Sequence, residues 1–321
     1  MKVLKLFAAS ALALAVSSAF AQSYPSKTIR LISPFAPGGG ADITARALAM
    51  KLTAALGQQV VVDNRGGAGG LVGVELATKA PADGYTIVLG TIGNIAVAPS
   101  LYSKMPYDPQ KDLVPIGQTA NALNVLVVHP SLPAKTVKEF IAVAKQHPGQ
   151  LLFGSSGAGA ADHLAGELFN TMAGVKMVHV PYKGGAPAML DLVAGQVQLV
   201  FSTVSTAIGS IQAKRIRPIA MAGNQRYERL PEIPTIAEGG LKGFEANNWY
   251  GFFAPAGTPR EIIARLNAET TKALAMADVK TRLLDSGIIA TPSTPEQFAG
   301  YIKSETAKWA KVVKAAHIKA D

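Results

Sequence analysis

The chain has no cysteine. That excludes disulfide staples, thiol nucleophiles and thiolate metal sites together. Charge is sparse at 16% of residues, and acidic side chains are the scarcer kind, 21 against 31 Lys and Arg. The formal net charge of +10 therefore favours anionic partners at long range. Nucleic acid is not among the partners expected. The cations are scattered, with mild clusters only at Lys214-Arg215-Arg217 and near the C-terminus, and no dense basic–aromatic patch occurs. The five histidines are widely spaced with no HExxH pair, so no metal and no cofactor is expected. Beyond the first 21 residues no apolar run is long enough to predict a membrane span.

What is present begins with MKVLKLFAASALALAVSSAFA. Lys2 and Lys5, a short apolar stretch and Ala19-Phe20-Ala21 read as a secretory signal peptide over 1–21, with Gln22 as the new N-terminus. Export predicts a periplasmic location. Without disulfides the exported chain must rely on core burial. A chain of roughly 300 residues is long enough, burying about three quarters of its unfolded surface.

Strand-like and helix-like runs then alternate. TIRLISPF precedes a helix over 42–56 that ends at Gly57. QQVVVDN, GLVGVELATKA and GYTIVLGT continue as strand, helix and strand. A second cycle starts at NVLVVHP and runs through the strands QLLFGSS, VKMVHVPY and VQLVFST, with helices between. Two amphipathic helices, 259–277 and 295–316, close the chain. This rhythm predicts α/β architecture with mainly parallel sheets. The closing helices lack strands of their own and are expected to return to the first unit. The expected division is 22–120 with 249–321 as one lobe and 121–248 as the other, with two chain crossings near 118–126 and 243–252. A double crossing favours hinge closure over a cleft.

One short stretch in each lobe carries the functional signal. PFAPGGGADITAR (34–46) and FGSSGAGAADHLA (153–165) both place small residues between a strand and a helix start. Aligned on their aspartates, Gly39-Gly40-Ala41-Asp42 matches Gly159-Ala160-Ala161-Asp162. The first N–H groups of a helix lack intrahelical acceptors, and the macrodipole adds about half a positive charge there. Small residues let an anion reach them. Each N–H bond to a charged oxygen contributes on the order of 1.5–3 kcal/mol. Two facing loops could therefore hold a small carboxylate at micromolar strength. Asp42 and Asp162 read first as helix-start residues that accept N–H bonds; the alternative is that they receive a ligand ammonium or hydroxyl.

Other chemistries fail on spacing. Gly154-Ser155-Ser156-Gly157-Ala158 ends in alanine, so the serine-hydrolase elbow is incomplete. Neither glycine loop completes G-x-G-x-x-G, because Ile43 and Asp162 stand at the last position. His163 reads as a helix-start hydrogen-bonding residue rather than a general base. Arg65 reads as a surface-loop arginine.

The ordered set YPSKTIRLISPFAPGGGAD, VVDNRGGAGG, KAPADGYTIVLGT, FGSSGAGAADHLAGELF, HVPYKGGAPAMLDLVAGQV, LPEIPTIAEGG and NWYGFFAPAGTP spans nearly the whole mature chain. In it the sequence resembles the Bug family, the substrate-binding proteins of tripartite tricarboxylate transporters. The resemblance implies a two-lobed periplasmic binding protein of the Venus-flytrap kind, type II-like. It implies a small carboxylated ligand, transient contact with membrane transporter subunits, a monomer and no enzymatic activity. The alternatives are a periplasmic sensor for a two-component receptor and, third, a cleft enzyme. By resemblance the first ligand loop falls on Pro37, Gly38 and Gly39, with Asp42 closing it; Phe35, Ala36, Gly40 and Ala41 are expected to bind ligand beside them. The second falls on Ser155, Ser156, Gly157 and Gly159, with His163 starting the helix; Ala160 and Asp162 are expected to bind ligand beside them. Thr91 and Asn94 are expected at the cleft mouth, and Trp249 as an aromatic wall. Ala41 and Ala160 stand where the family often has a hydroxyl, Ala98 where Asn is common, and Asp162 where an uncharged residue is usual. The ligand is therefore expected to differ from a plain dicarboxylate, with Asp162 selecting one that carries a donor.

Overall fold

The computed structural model describes residues 24–315 and residue 318. The leader and its cleavage signal lie outside the described residues.

The first unit opens with β1 (Ile29–Ser33), helix α1 (Gly40–Leu56), β2 (Val60–Asn64), α2 (Leu71–Thr78) and β3 (Thr86–Thr91). β1 pairs in parallel with both β2 and β3, as βαβ connections require. α1 forms because Ala45, Leu48, Leu52 and Leu56 recur every three or four residues and are all buried. Fully burying leucines such as Leu48 and Leu52 stabilises the unit by about 1.5–3 kcal/mol each. The helix stops at Gly57, whose φ of 70° ends the α geometry while its N–H bonds Thr53 O.

The chain leaves this sheet through β4 (Leu113–Ala122) and enters a second through β5 (Asn124–Val128). The second unit continues through α4 (Val137–Gln146), β6 (Leu152–Ser155), α5 (Ala161–Ala173), β7 (Val178–Pro181), α6 (Gly185–Val193), β8 (Leu199–Thr203), α7 (Val204–Gln212) and β9 (Arg217–Met221). A short helix α3 (Ala98–Leu101) precedes β4. The chain returns through β10 (Asn248–Pro255) and ends with α8 (Arg260–Ala275), α9 (Ala277–Asp285), β11 (Ile288–Ala290) and α10 (Pro295–Ala315).

The sheets run β11-β4-β10-β3-β1-β2 and β7-β6-β8-β5-β9. Both repeat one plan: a parallel trio (β2-β1-β3, β7-β6-β8), then an antiparallel strand that carries the chain between sheets (β10, β5), then its antiparallel neighbour. Parallel pairing thus holds within each βαβ half. The crossing strands enter from the other end and make each sheet mixed rather than mainly parallel. α8 packs on α1, with Leu266 and Leu274 in the same core as Leu48. α10 packs behind β10, where Phe298 meets Trp249 and Phe253 at 5.3 Å each. The helix expected over 259–277 ends at Ala275. Met276 turns extended (ψ 136°), and α9 and β11 follow, neither of them foreseen.

Candidate ligand-binding cleft

The two sheets point their β–α turns at each other and are closed together. Ala36 N donates to Lys183 O at 3.2 Å, and the Tyr102 hydroxyl donates to Ala158 O at 2.9 Å. Glycines make this approach possible. A Cβ on Gly69, where φ is already +62°, would lie 2.1 Å from Ala158 O, and one on Gly93 would lie 2.5 Å from Gly159 O.

Between the units lies a cavity of about 40 Å³. At roughly 10–15 Å³ each, that is room for a few waters. Four helix N-termini meet there: α1 through Gly39, Gly40 and Ala41, α5 through Ala160, Ala161 and Asp162, α6 through Gly185, and α7 through Thr203 and Thr206. In none of the four does the N-cap residue's own side chain cap the helix. Their leading N–H groups have no intrahelical acceptor, so four positive dipole ends converge on one space. Phe35, Asn124, Ser156, Ser202, Asn248 and Tyr250 complete the lining. Asp162 is the one charged side chain among the lining residues, and no Lys or Arg joins them.

The two aspartates hold their loops. Asp42 Oδ2 accepts from Gly38 N at 3.1 Å and from Arg46 Nε at 2.9 Å, and Oδ1 accepts from Asn64 Nδ2 at 2.9 Å. Burial opposes its charge, but the bonds from Arg46, Gly38 and Asn64 outweigh burial and hold its pKa below the usual value. Asp162 Oδ2 accepts from Ser156 N at 2.7 Å and Ser156 Oγ at 2.6 Å, and Oδ1 accepts from His163 N at 3.0 Å. Here burial wins against those bonds and pushes the carboxyl up to about 6. His163 Nδ1 accepts from Gly159 N at 3.0 Å. Burial, with His179 stacked at 3.9 Å, holds the imidazole neutral, its pKa pushed down to about 3.

Of the residues expected at the site, Phe35, Gly39, Gly40, Ala41, Ser156, Ala160 and Asp162 line the cavity. Ala36, Gly38, Asp42, Ser155, Gly157, Gly159 and His163 sit one layer back. Ser155, for example, receives Gly157 N at 3.0 Å and so shapes the turn. Thr91 and Asn94 form a capping box on the π-turn Ile92–Val97, which abuts the second loop through Gly93. Trp249 stands apart from the cavity. Successive strand residues face opposite sides, so Asn248 and Tyr250 of β10 reach the cleft while Trp249 packs behind on Phe298 and Tyr301. Arg65 is half exposed and pairs with Asp63 at 2.9 Å.

Asn124, Gly185, Ser202, Thr203, Thr206, Asn248 and Tyr250 were not foreseen. A signal for part of them exists: FSTVST (201–206) and YKGGA (182–186) are two further strand-to-helix turns of small and hydroxyl residues.

A family profile described as "Tripartite tricarboxylate transporter family receptor" matches residues 44–318. An R. palustris protein solved with adipate is 37% identical, with a TM-score of 0.90 over 92% of this chain and 99% of that one. The periplasmic binding protein BugD is 33% identical, with a TM-score of 0.89 over 92% and 99%. MatC from Rhodopseudomonas palustris, solved with malate, is 32% identical, with a TM-score of 0.87 over 90% and 100%. With most of its length inside the profile and its fold superposable on these binding proteins, the chain belongs to the Bug family of tripartite tricarboxylate transporter receptors.

Proposed function

We propose that this protein is a periplasmic solute-binding protein that captures a small carboxylate between its lobes. It delivers the ligand, chemically unchanged, to the membrane subunits of a tripartite tricarboxylate-type transporter. The observation that carries this reading is the meeting of four helix N-termini in one small cavity whose lining has no Lys or Arg. Such a site holds an anion by backbone N–H groups and hydroxyls. The adipate and malate held by two similar proteins fit that chemistry.

In this reading Gly39, Gly40, Ala41 and Asp162 offer backbone donors. Ser156, Thr203, Thr206 and Tyr250 offer hydroxyls, and Phe35 walls the ligand. Residues 22–120 with 249–321 and residues 121–248 move as two bodies about the β4–β5 link and the segment before β10. The protein works as a monomer, after export directed by residues 1–21. No helix among the described residues is long and apolar enough to cross a membrane, which suits delivery to separate membrane subunits. The small cavity favours short carboxylates; longer ones require the lobes to stand further apart.

The test is calorimetry of protein refolded free of carried-over ligand, against succinate, malate and adipate, with mass spectrometry of the ligand afterwards. At least one acid binds with a Kd in the micromolar range, about −8 kcal/mol, and is recovered unchanged. At a hundred times its Kd it stabilises the fold by about 2.7 kcal/mol. Absence of both heat and thermal shift across the acids, or a ligand of altered mass, overturns the proposal.

A further inference from the structure

The last helix, α10, sorts its side chains by charge as well as by polarity. Phe298, Ile302, Trp309 and Val313 are buried in the core of the first unit. The opposite side carries Lys303, Lys308, Lys311 and Lys314, all exposed. Lys303, Lys311 and Lys314 stand at i, i+8 and i+11, which on an α-helix is one stripe about 16 Å long. Lys308 flanks the stripe, and the half-exposed Tyr301 shares that flank two turns earlier.

From Lys303 onward the stripe has no acid. Glu305 lies on the far side of the helix, 8% exposed, where it accepts from Trp309 Nε1 at 3.2 Å and pairs with Lys308 Nζ at 3.5 Å. Glu296 sits in the first turn, before the lysines begin, and Glu245 lies near Tyr301 on the flank. Other exposed helices differ. Arg46 pairs with Asp42 on α1, Lys79 with Glu75 at α2, Lys272 with Glu269 on α8, and Lys51 of α1 with Asp278 of α9. Among the described residues Lys303, Lys311 and Lys314 have no ion-pair partner. The helix dipole favours Lys314 in the last turn, but its effect fades within a turn and does not reach Lys303. Like charges along one stripe repel, so the pattern does not serve the helix itself.

We propose that this face of α10 adsorbs to the anionic headgroups of a phospholipid bilayer. Each lysine near an anionic leaflet strengthens binding about fivefold. The apolar side of the helix is already buried in the fold, so the contact is electrostatic and superficial, without insertion. The face also lies on the side of β10 away from the carboxylate cavity. Trp249 packs on Phe298 and Tyr301, whereas Asn248 and Tyr250 line the cavity. Adsorption therefore touches none of the cavity lining and does not depend on what the cavity binds.

The chain from Gln22 onward is co-sedimented with sucrose-loaded vesicles of phosphatidylcholine, alone or with about one third phosphatidylglycerol. In about 0.1 M salt it sediments with the anionic vesicles only, and in about 1 M salt, where the screening length is about 3 Å, it is released. Lys303→Gln, Lys311→Gln and Lys314→Gln together lower the partition coefficient on the order of a hundredfold. Lys138→Gln, Lys145→Gln and Lys242→Gln, at three exposed lysines of the second unit, remove the same net charge and lower it less than about threefold. Circular dichroism and a thermal melt report that both triple variants are folded. No sedimentation with anionic vesicles, sedimentation that persists in high salt or without phosphatidylglycerol, or equal loss in the two triple variants overturns the proposal. Tighter binding to soluble polyglutamate than to the vesicles assigns the face to an acidic protein and overturns it as well. Carboxylate binding in the cleft is measured separately, so failure there is not confused with failure here.

Discussion

Asp42 and Asp162 occupy matching places in the two glycine-rich loops, yet their environments drive them apart. Asp42 has the Arg46 guanidinium at 2.9 Å and stays ionised; Asp162 has neutral donors alone and rises to about 6. Because the folded protein holds the Asp162 proton more tightly than the unfolded chain does, this group's contribution to stability is fully present below its ordinary value of 3.8. It is lost as pH rises through about 6. The same ionisation places a negative charge on the lining of the proposed carboxylate site. Carboxylate affinity is therefore expected to rise about tenfold between pH 7 and pH 5, following the protonated fraction of a group titrating near 6. Asp162→Asn is expected to flatten this profile, with affinity at pH 7 equal to or above that of the parent. Calorimetry at the two pH values checks it, and an unchanged slope in the variant defeats the assignment. The loop-holding part of Asp162 was legible in the sequence, because an acid at a helix start has local N–H groups to accept. Its raised pKa was not, since that depends on how deeply the folded chain buries it.

Among the elements, the turns that follow strands matter most. Two were readable from their glycine and serine content. The turns into α6 and α7 complete the cavity; their small and hydroxyl residues, YKGGA and FSTVST, are a signal of the same kind, but it does not say that the four turns face one space. The crossing strand β10 sets a further limit. Its alternation separates Asn248 and Tyr250 from Trp249, but the sequence does not say which parity faces the cleft. Tyr102, just past α3, is an element-scale latch: its hydroxyl reaches the Ala158 carbonyl of the second ligand loop at 2.9 Å. Tyr102→Phe removes that bond and nothing inside the cavity. A net hydrogen bond contributes about 0.5–1.5 kcal/mol, so ligand affinity is expected to fall about threefold to tenfold with little change in Tm. Calorimetry paired with a thermal melt separates this from a folding defect.

At the scale of the whole molecule, closure brings backbone against backbone where glycines permit it. Gly69→Ala places a methyl 2.1 Å from Ala158 O at a backbone φ of +62°, at the contact between the two units. Small-angle scattering is expected to show the parent contracting when carboxylate is added and this variant remaining extended. A variant that contracts as the parent does would show that the lobes close by another path. The sequence by itself determined the alternating elements, the glycine-rich turns and the preference for an anion. These depend on caps, periodicity and charge within a few residues of one another. Only the tertiary structure decided which four helix ends share a cavity, that Asn124, Ser202 and Asn248 line it, and that Trp249 faces away. Those facts arise from contacts between segments up to a hundred or more residues apart, where the packing of two sheets about a double crossing, rather than any local preference, fixes what meets what.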